Sequence, residues 1–262
     1  MAALDHPSEA LDIGAVIQTT FGVIRRNLVT FLALSAILAG IPALLSGWLQ
    51  WGMLQGLAAG DFRNAGLTGL ANLPGNLTAG LIGIVANAIL QGALVHITAT
   101  DLTGRKASIA DGLATGLRNF LPLICIGILY GIGVILGCIL LLVPGLILAT
   151  LWIVAVPSAV VERTTIFSAF TRIRDLTRGS RWRIFALMVL MGVLAYVIRA
   201  IFDAIFGGAM GLISHNPLAL VGIMIATILN GLIGAVGVAV LYTELRRLKD
   251  GVGVTELAAV FD

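Results

Sequence analysis

Six long apolar runs divide the chain, at residues 28–51, 77–100, 119–142, 146–161, 184–206 and 217–242. A bilayer core about 30 Å thick takes roughly 20 residues of helix, and the runs are of that order. The first is interrupted only by Pro42 and ends in Trp48 and Trp51, residues suited to the membrane–water boundary. Residues 53–76 are rich in Gly and Asn and carry Asp61, Arg63 and Pro74, which reads as an external loop. The third and fourth runs meet at Val143-Pro144-Gly145 as a tight helical hairpin, and residues 207–216 form a second external loop. The pattern predicts an all-α, polytopic membrane helix bundle with six transmembrane helices.

Three segments ahead of spans repeat one device. Ile13, Val16, Ile17, Phe21 and Ile24 lead to Arg25-Arg26-Asn27. Ile109, Leu113, Leu117 and Phe120 surround Arg118-Asn119, and Ile166, Ala169, Phe170, Ile173 and Leu176 lead to Arg181-Trp182. Short amphipathic helices of this kind lie in the interface, apolar face in the acyl boundary and basic residues at the headgroups. Three interfacial helices, each followed by two spans, predict a three-fold repeat of helix pairs. Span-pair repeats occur in transporters, but the repeat alone does not name a role.

The basic residues set the orientation. Of 16 Lys and Arg, 14 fall on one side of the spans: Arg25, Arg26, Arg105, Lys106, Arg118, Arg163, Arg172, Arg174, Arg178, Arg181, Arg183, Arg246, Arg247 and Lys249. Arg63 lies on the other side and Arg199 inside the fifth span. Such an excess marks cytoplasmic loops, so both termini are expected in the cytoplasm. Residues 1–10 hold Asp5 and Glu9 and no basic residue, unlike a secretory signal, and read as a flexible tail on a retained first span. Residues 243–262 form a cytoplasmic C-terminal segment, and 1–262 are one integral membrane domain.

Composition agrees. The chain is 59% apolar and 11% charged, against roughly 45–50% and about 25% in soluble domains. So much apolar surface calls for lipid as the solvent. The basic residues border spans instead of building a separate basic domain, so nucleic acid is not an expected partner.

Candidate chemistry is sparse. Cys125 and Cys138 are thirteen residues apart in one apolar run, roughly 20 Å along a helix, too far to bridge. There is no CxxC, HExxH, nucleophile elbow or P-loop, and His6, His96 and His215 are scattered. No metal, no cofactor and no enzymatic activity are expected. The intramembrane polar residues are the candidates, because such groups are costly unless paired. Asn87 and Gln91 lie one turn apart on the second span, Arg199 and Asp203 at i, i+4 on the fifth, and Asn230 on the sixth. They read as interhelical amide bonds plus one neutralised ion pair, or, more sharply, as a polar cavity holding an anionic headgroup against Arg199. Gly127, Gly131, Gly133 and Gly137, and Gly231, Gly234 and Gly237, predict close helix packing. On the cytoplasmic side, Arg172, Arg174, Arg178, Arg181 and Trp182 are candidate contacts for anionic lipid headgroups or for a membrane or cytoplasmic protein partner.

Several motifs stand together in order. Val143-Pro144-Gly145, Trp152 and Pro157 precede Leu-Thr-Arg-Gly-Ser-Arg-Trp at 176–182, and Tyr242-Thr243-Glu244-Leu245-Arg246 is followed by Lys249-Asp250-Gly251 and Glu256-Leu257. With the amphipathic start before Arg25-Arg26-Asn27, this arrangement resembles the bacterial glycerophosphoryl diester phosphodiesterase membrane-domain family over nearly the whole chain. The resemblance implies a bacterial inner-membrane protein and carries over no catalytic residue, since the phosphodiesterase barrel fused to some members is missing here. The sequence thus predicts a non-catalytic membrane module that engages lipid or a partner, with a transporter or channel for a small or amphiphilic solute as the alternative.

Overall fold

The computed structural model describes residues 11–140, 145, 148–150, 153–162, 176, 177, 179–214 and 216–250. Asp12 opens the first helix, its carboxylate accepting from the N–H of Gly14 (2.8 Å) and Ala15 (3.2 Å) and so satisfying donors that a helix start leaves orphaned. This helix, α1 (Ile13–Arg26), buries Val16, Thr20 and Val23 on one face and ends in Arg25 and Arg26. Asn27 breaks it at φ −115° and ψ 22°, its side chain donating to Asp101 Oδ1 at 2.8 Å.

The chain then turns into α2 (Leu28–Ser35), a π-helical turn (Ala36–Gly40) and α3 (Ile41–Ala58). Pro42 explains the π turn: it cannot donate to Leu38 and its ring crowds that carbonyl, so one extra residue is accommodated, with Ile41 N–H donating to Ala36. After Gly60, at φ 72°, comes α4 (Phe62–Ala71), capped by Asp61. Next follow α5 (Leu73–Leu102), α6 (Ile109–Leu140), α7 (Ala155–Glu162), α8 (Arg181–Phe206), α9 (Gly208–Ile213) and α10 (Leu218–Asp250). Among the described residues five helices are long and apolar enough to cross a membrane: Leu28–Ala58, Leu73–Leu102, Ile109–Ile139, Arg181–Phe206 and Leu218–Lys249. The fold is all-α, and by helix length and hydropathy the protein is a multi-pass membrane protein.

Several expectations change. Residues 53–76 are not a loop: α3 runs on to Ala58 and α4 packs back on it, so closely that a Cβ on Gly56 would meet Ala65 Cα at 3.0 Å. Gly and Asn in that stretch serve helix packing and capping. The second interfacial helix is not separate either. Residues 109–120 are the first turns of α6, because Arg118-Asn119 contains no breaker and the Asn119 amide simply donates back to Thr115 O at 2.8 Å. The first and second units of the predicted repeat therefore differ. The segment 207–216, expected as a loop, contains α9. The fourth predicted span, 146–161, is described in part, with α7 of eight residues as its helical end. The third interfacial segment, including Arg172, Arg174 and Arg178, lies outside the described residues.

Helices α5 and α6 form the closest pair. A Cβ on Gly92 would lie 2.9 Å from Gly116 Cα, and one on Gly112 would lie 2.7 Å from Ile97. The main core gathers at the basic end of the bundle, where Val16, Val23, Leu94, Ile97, Val236, Tyr242 and Leu245 are buried under α1 and the adjoining helix ends. Packing at the opposite end is much thinner, centred on Ala219 and Leu220 with Leu44, Trp51 and Leu54.

Candidate intramembrane binding site

Thin packing at that end leaves a groove of about 490 Å³ between the first span, α5, α8 and α10. The π turn and Pro42 shape one wall, bringing Leu38, Ala39, Pro42, Ser46 and Gln50 onto one side. Small residues of α5, Ala79, Gly80 and Gly83, form the floor before Asn87, and α10 adds Ile223 and Thr227. Arg199 of α8 enters as the one charged residue among these linings.

Arg199 binds Asp203 through a single nitrogen: Nε lies 2.9 Å from both carboxylate oxygens. The guanidinium has five N–H donors in a planar fork, so those on the two terminal nitrogens find no partner among the described residues. The pair is about 40% exposed on each side, 42% for Arg199 and 37% for Asp203. Its neighbour neutralises the arginine without consuming its hydrogen-bonding capacity.

Further toward the basic end a second, open cavity of about 420 Å³ is bordered by Asn87, Gln91, Tyr130, Asn230, Gly127, Gly231 and Gly234. Asn230 donates from Nδ2 to Ala195 O at 3.3 Å, while its Oδ1 is buried with no hydrogen-bond partner among the described residues. A third, wholly apolar cavity of about 160 Å³ lies toward the basic end, between α1, α8 and α10, lined by Val16, Leu187, Met188, Met191, Gly237 and Leu241 among others.

The predicted polar residues are thus brought together in two groups sharing one member. Asn87 and Arg199 line the groove; Asn87, Gln91 and Asn230 line the middle cavity. Asp203 stands beside Arg199 without lining either. Gln50, Ser46, Thr227 and Tyr130 join them, although the sequence pattern does not single them out; a polar side chain within an apolar run is the signal that could have found them. The glycine expectation holds in part. A Cβ on Gly137 would lie 2.8 Å from Gly145 Cα, and one on Gly237 would be in ordinary contact with Met191 and Thr20, whereas a Cβ on Gly127, Gly131, Gly231 or Gly234 would meet nothing within 4 Å among the described residues. Between α5 and α6, close approach is carried by Gly92, Gly112 and Gly116.

At the basic end, Arg26 donates to Asp101 Oδ2 from Nη2 (2.6 Å) and Nε (3.0 Å), and Asn27 holds the other oxygen. The hydrogen bond to Asp101 raises the Arg26 pKa above its ordinary value. Arg183 reaches Leu11 O at 3.0 Å, fastening the start of α1 to the start of α8. Beside it Trp182 is 83% exposed and stacks edge-on with Phe185 at 6.1 Å, a fitting interfacial anchor. At 32 residues α6 is about 48 Å long, more than the roughly 30 Å of a hydrocarbon core. At its start Ser108 and Asp111 form a reciprocal cap. Among the described residues no three His, Cys, Asp or Glu side chains are grouped to hold a metal ion. Compared with family models, with curated proteins and with solved structures, the chain matches none.

Proposed function

We propose that this protein is a non-catalytic membrane module that binds a lipid-like amphiphile in the groove beside Arg199. The observation that carries this reading is the composition of the groove. One arginine with unengaged donors stands near Gln50 and Asn87, over walls otherwise made mostly of Leu, Ala, Pro, Gly and Ile. An acyl chain suits the walls, and a planar guanidinium fork suits the oxygens of a phosphate or carboxylate headgroup. Each hydrogen bond to such a charged group contributes about 1.5–3 kcal/mol.

The same proposal sets the protein in a bacterial inner membrane with six spans and both termini in the cytoplasm, supported by the placement of the basic residues. The groove then opens toward the outer leaflet. Arg172, Arg174, Arg178, Arg181 and Trp182 meet anionic headgroups on the cytoplasmic face, each basic residue adding about 1 kcal/mol; a protein partner on that face is the other use of the segment. We further propose membership of the glycerophosphoryl diester phosphodiesterase membrane-domain family, on the order of its motifs along the chain. A transporter reading is favoured by one specific observation, that Asn87 belongs to both the groove and the middle cavity.

The test is native mass spectrometry of the purified protein. Wild type should retain an anionic lipid, and Arg199→Leu/Asp203→Leu should lose it while staying folded. Equal retention by both would refute the groove as its site.

A further inference from the structure

The groove, the middle cavity and the apolar cavity share walls. Asn87 lines the first two, and Ile153, Gly234 and Val238 line the last two. They follow the same order on each helix that borders them. Along α10 the linings pass from Ile223 and Thr227, through Asn230 and Gly231, to Gly237 and Leu241. Along α8 they pass from Arg199 to Met191 and Leu187, with the Ala195 carbonyl held by Asn230 between. From Ile223 to Leu241 a helix rises by about 27 Å, close to the roughly 30 Å of a hydrocarbon core.

Two features of the middle stretch resist a purely structural account. Glycines on α6 and α10 leave room that ordinary side chains would fill, since among the described residues Gly127, Gly231 and Gly234 face nothing within 4 Å of an added Cβ, Gly127 and Gly234 being exposed. Helices in lipid associate through close packing, so unfilled glycine positions contribute nothing to holding the bundle. Asn230 also keeps an acceptor buried without a donor among the described residues, beside the amides of Asn87 and Gln91. Buried polar atoms are nearly always satisfied, and here a passing hydroxyl, ammonium or water would do it.

We propose that the three cavities are one route by which a phospholipid-class amphiphile crosses between leaflets, with α1 as the cover of its inner end. This rests on the reading of the groove beside Arg199 as an amphiphile site. The headgroup moves from Arg199 to the amides of Asn87, Gln91 and Asn230 while its chains stay against apolar walls. Beyond Asn230 the walls are apolar and α1 closes them through Val16, so release requires α1 to lift. Its polar fastenings are the Arg26–Asp101 pair, with the arginine 57% and the carboxylate 9% exposed, and the Arg183 bond to Leu11 O, so loosening them is what frees the cover.

The experiment uses the full chain in vesicles of phosphatidylethanolamine and phosphatidylglycerol carrying a fluorescent, acyl-labelled phosphatidylglycerol. Dithionite bleaches only the outer leaflet, so empty vesicles keep half their signal. Wild type should let bleaching run to near completion; Gly231→Leu/Gly234→Leu, which fills the middle cavity, should slow it severalfold; and Arg26→Ala, which frees the cover, should speed it. Where the leucine variant does not fold, Asn230→Leu takes its place and the same slowing is expected. Bleaching that halts at half with wild type would overturn the route. So would complete bleaching that a folded leucine variant leaves unchanged. Lipid retained by wild type and lost by Arg199→Leu/Asp203→Leu in the same preparations would then leave the groove reading standing, whereas equal retention would remove that reading separately.

Discussion

Replacing Gly116 by alanine adds one methyl group where α6 meets the main chain of α5. Its Cβ would press into the carbonyl oxygen of Ile89 and lie 3.1 Å from the carbonyl carbon. Both atoms are backbone of α5, so no side-chain rotation relieves the clash, and the helices must separate by a sizeable fraction of an ångström. Overpacking of this kind costs about 1–3 kcal/mol, and a contact so short against main chain belongs at the upper end. Opposing it, alanine is better than glycine inside a helix by roughly 0.5–1 kcal/mol. The net is a loss of about 1–2 kcal/mol, with the clash outweighing propensity. Gly231→Ala is the natural control, because its Cβ meets nothing within 4 Å among the described residues and only the propensity gain remains. Thermal unfolding in detergent should move the two variants in opposite directions, Gly116→Ala down by several degrees and Gly231→Ala level or slightly up. Gly116→Ala melting at or above wild type would refute the argument, since it would mean that α5 and α6 do not meet at these residues.

Three further outcomes are expected. Arg199→Leu should lower detergent stability more than Arg199→Leu/Asp203→Leu, because it leaves the Asp203 carboxylate unpaired; with both groups over a third exposed the difference is modest, and equal melting temperatures would mean the pair is fully hydrated. Cysteine at Arg63 or His215 should react with an impermeant thiol reagent from the periplasmic side and cysteine at Lys106 or Lys249 should not, a reversed pattern overturning the six-span orientation. Ser108→Ala should lower the melting temperature slightly at neutral pH by removing the α6 cap. Equal melting temperatures for the variant and the wild type would contradict the cap.

Span positions are legible in the sequence because a run of apolar residues long enough to cross lipid has few other uses. The candidate polar residues are legible for the related reason that Asn87, Gln91, Arg199 and Asn230 interrupt such runs. Their grouping is not, since it depends on how α5, α8 and α10 lie against one another, which no local pattern encodes. Glycine spacing misleads for the same cause: Gly127 and Gly131 have the spacing of a packing face, and Gly112 and Gly116 share it, yet only the second pair meets a neighbouring helix. Residues 53–76 look like a loop because Gly and Asn commonly form turns, whereas here Gly56 gives α4 its place against α3 and Asn64 follows the Asp61 cap. Arg118 looks like the end of a short helix by analogy with Arg26, but a basic residue breaks nothing by itself; Asn27, drawn to Asp101, makes the difference.

The π turn at Ala36–Gly40 makes the first span a helix with two facings. Each residue of an α-helix advances about 100° around the axis, so one residue accommodated in a wide turn rotates everything after it by roughly that angle relative to everything before. Phe31 and Leu34 can therefore point into the core at one end while Pro42, Ser46 and Gln50 address the groove at the other. The first span behaves as a crankshaft whose two throws are set by a single supernumerary residue. Deleting one residue from 36–40 would leave composition and hydropathy nearly untouched, yet it would turn Ser46 and Gln50 out of the groove and toward the acyl chains.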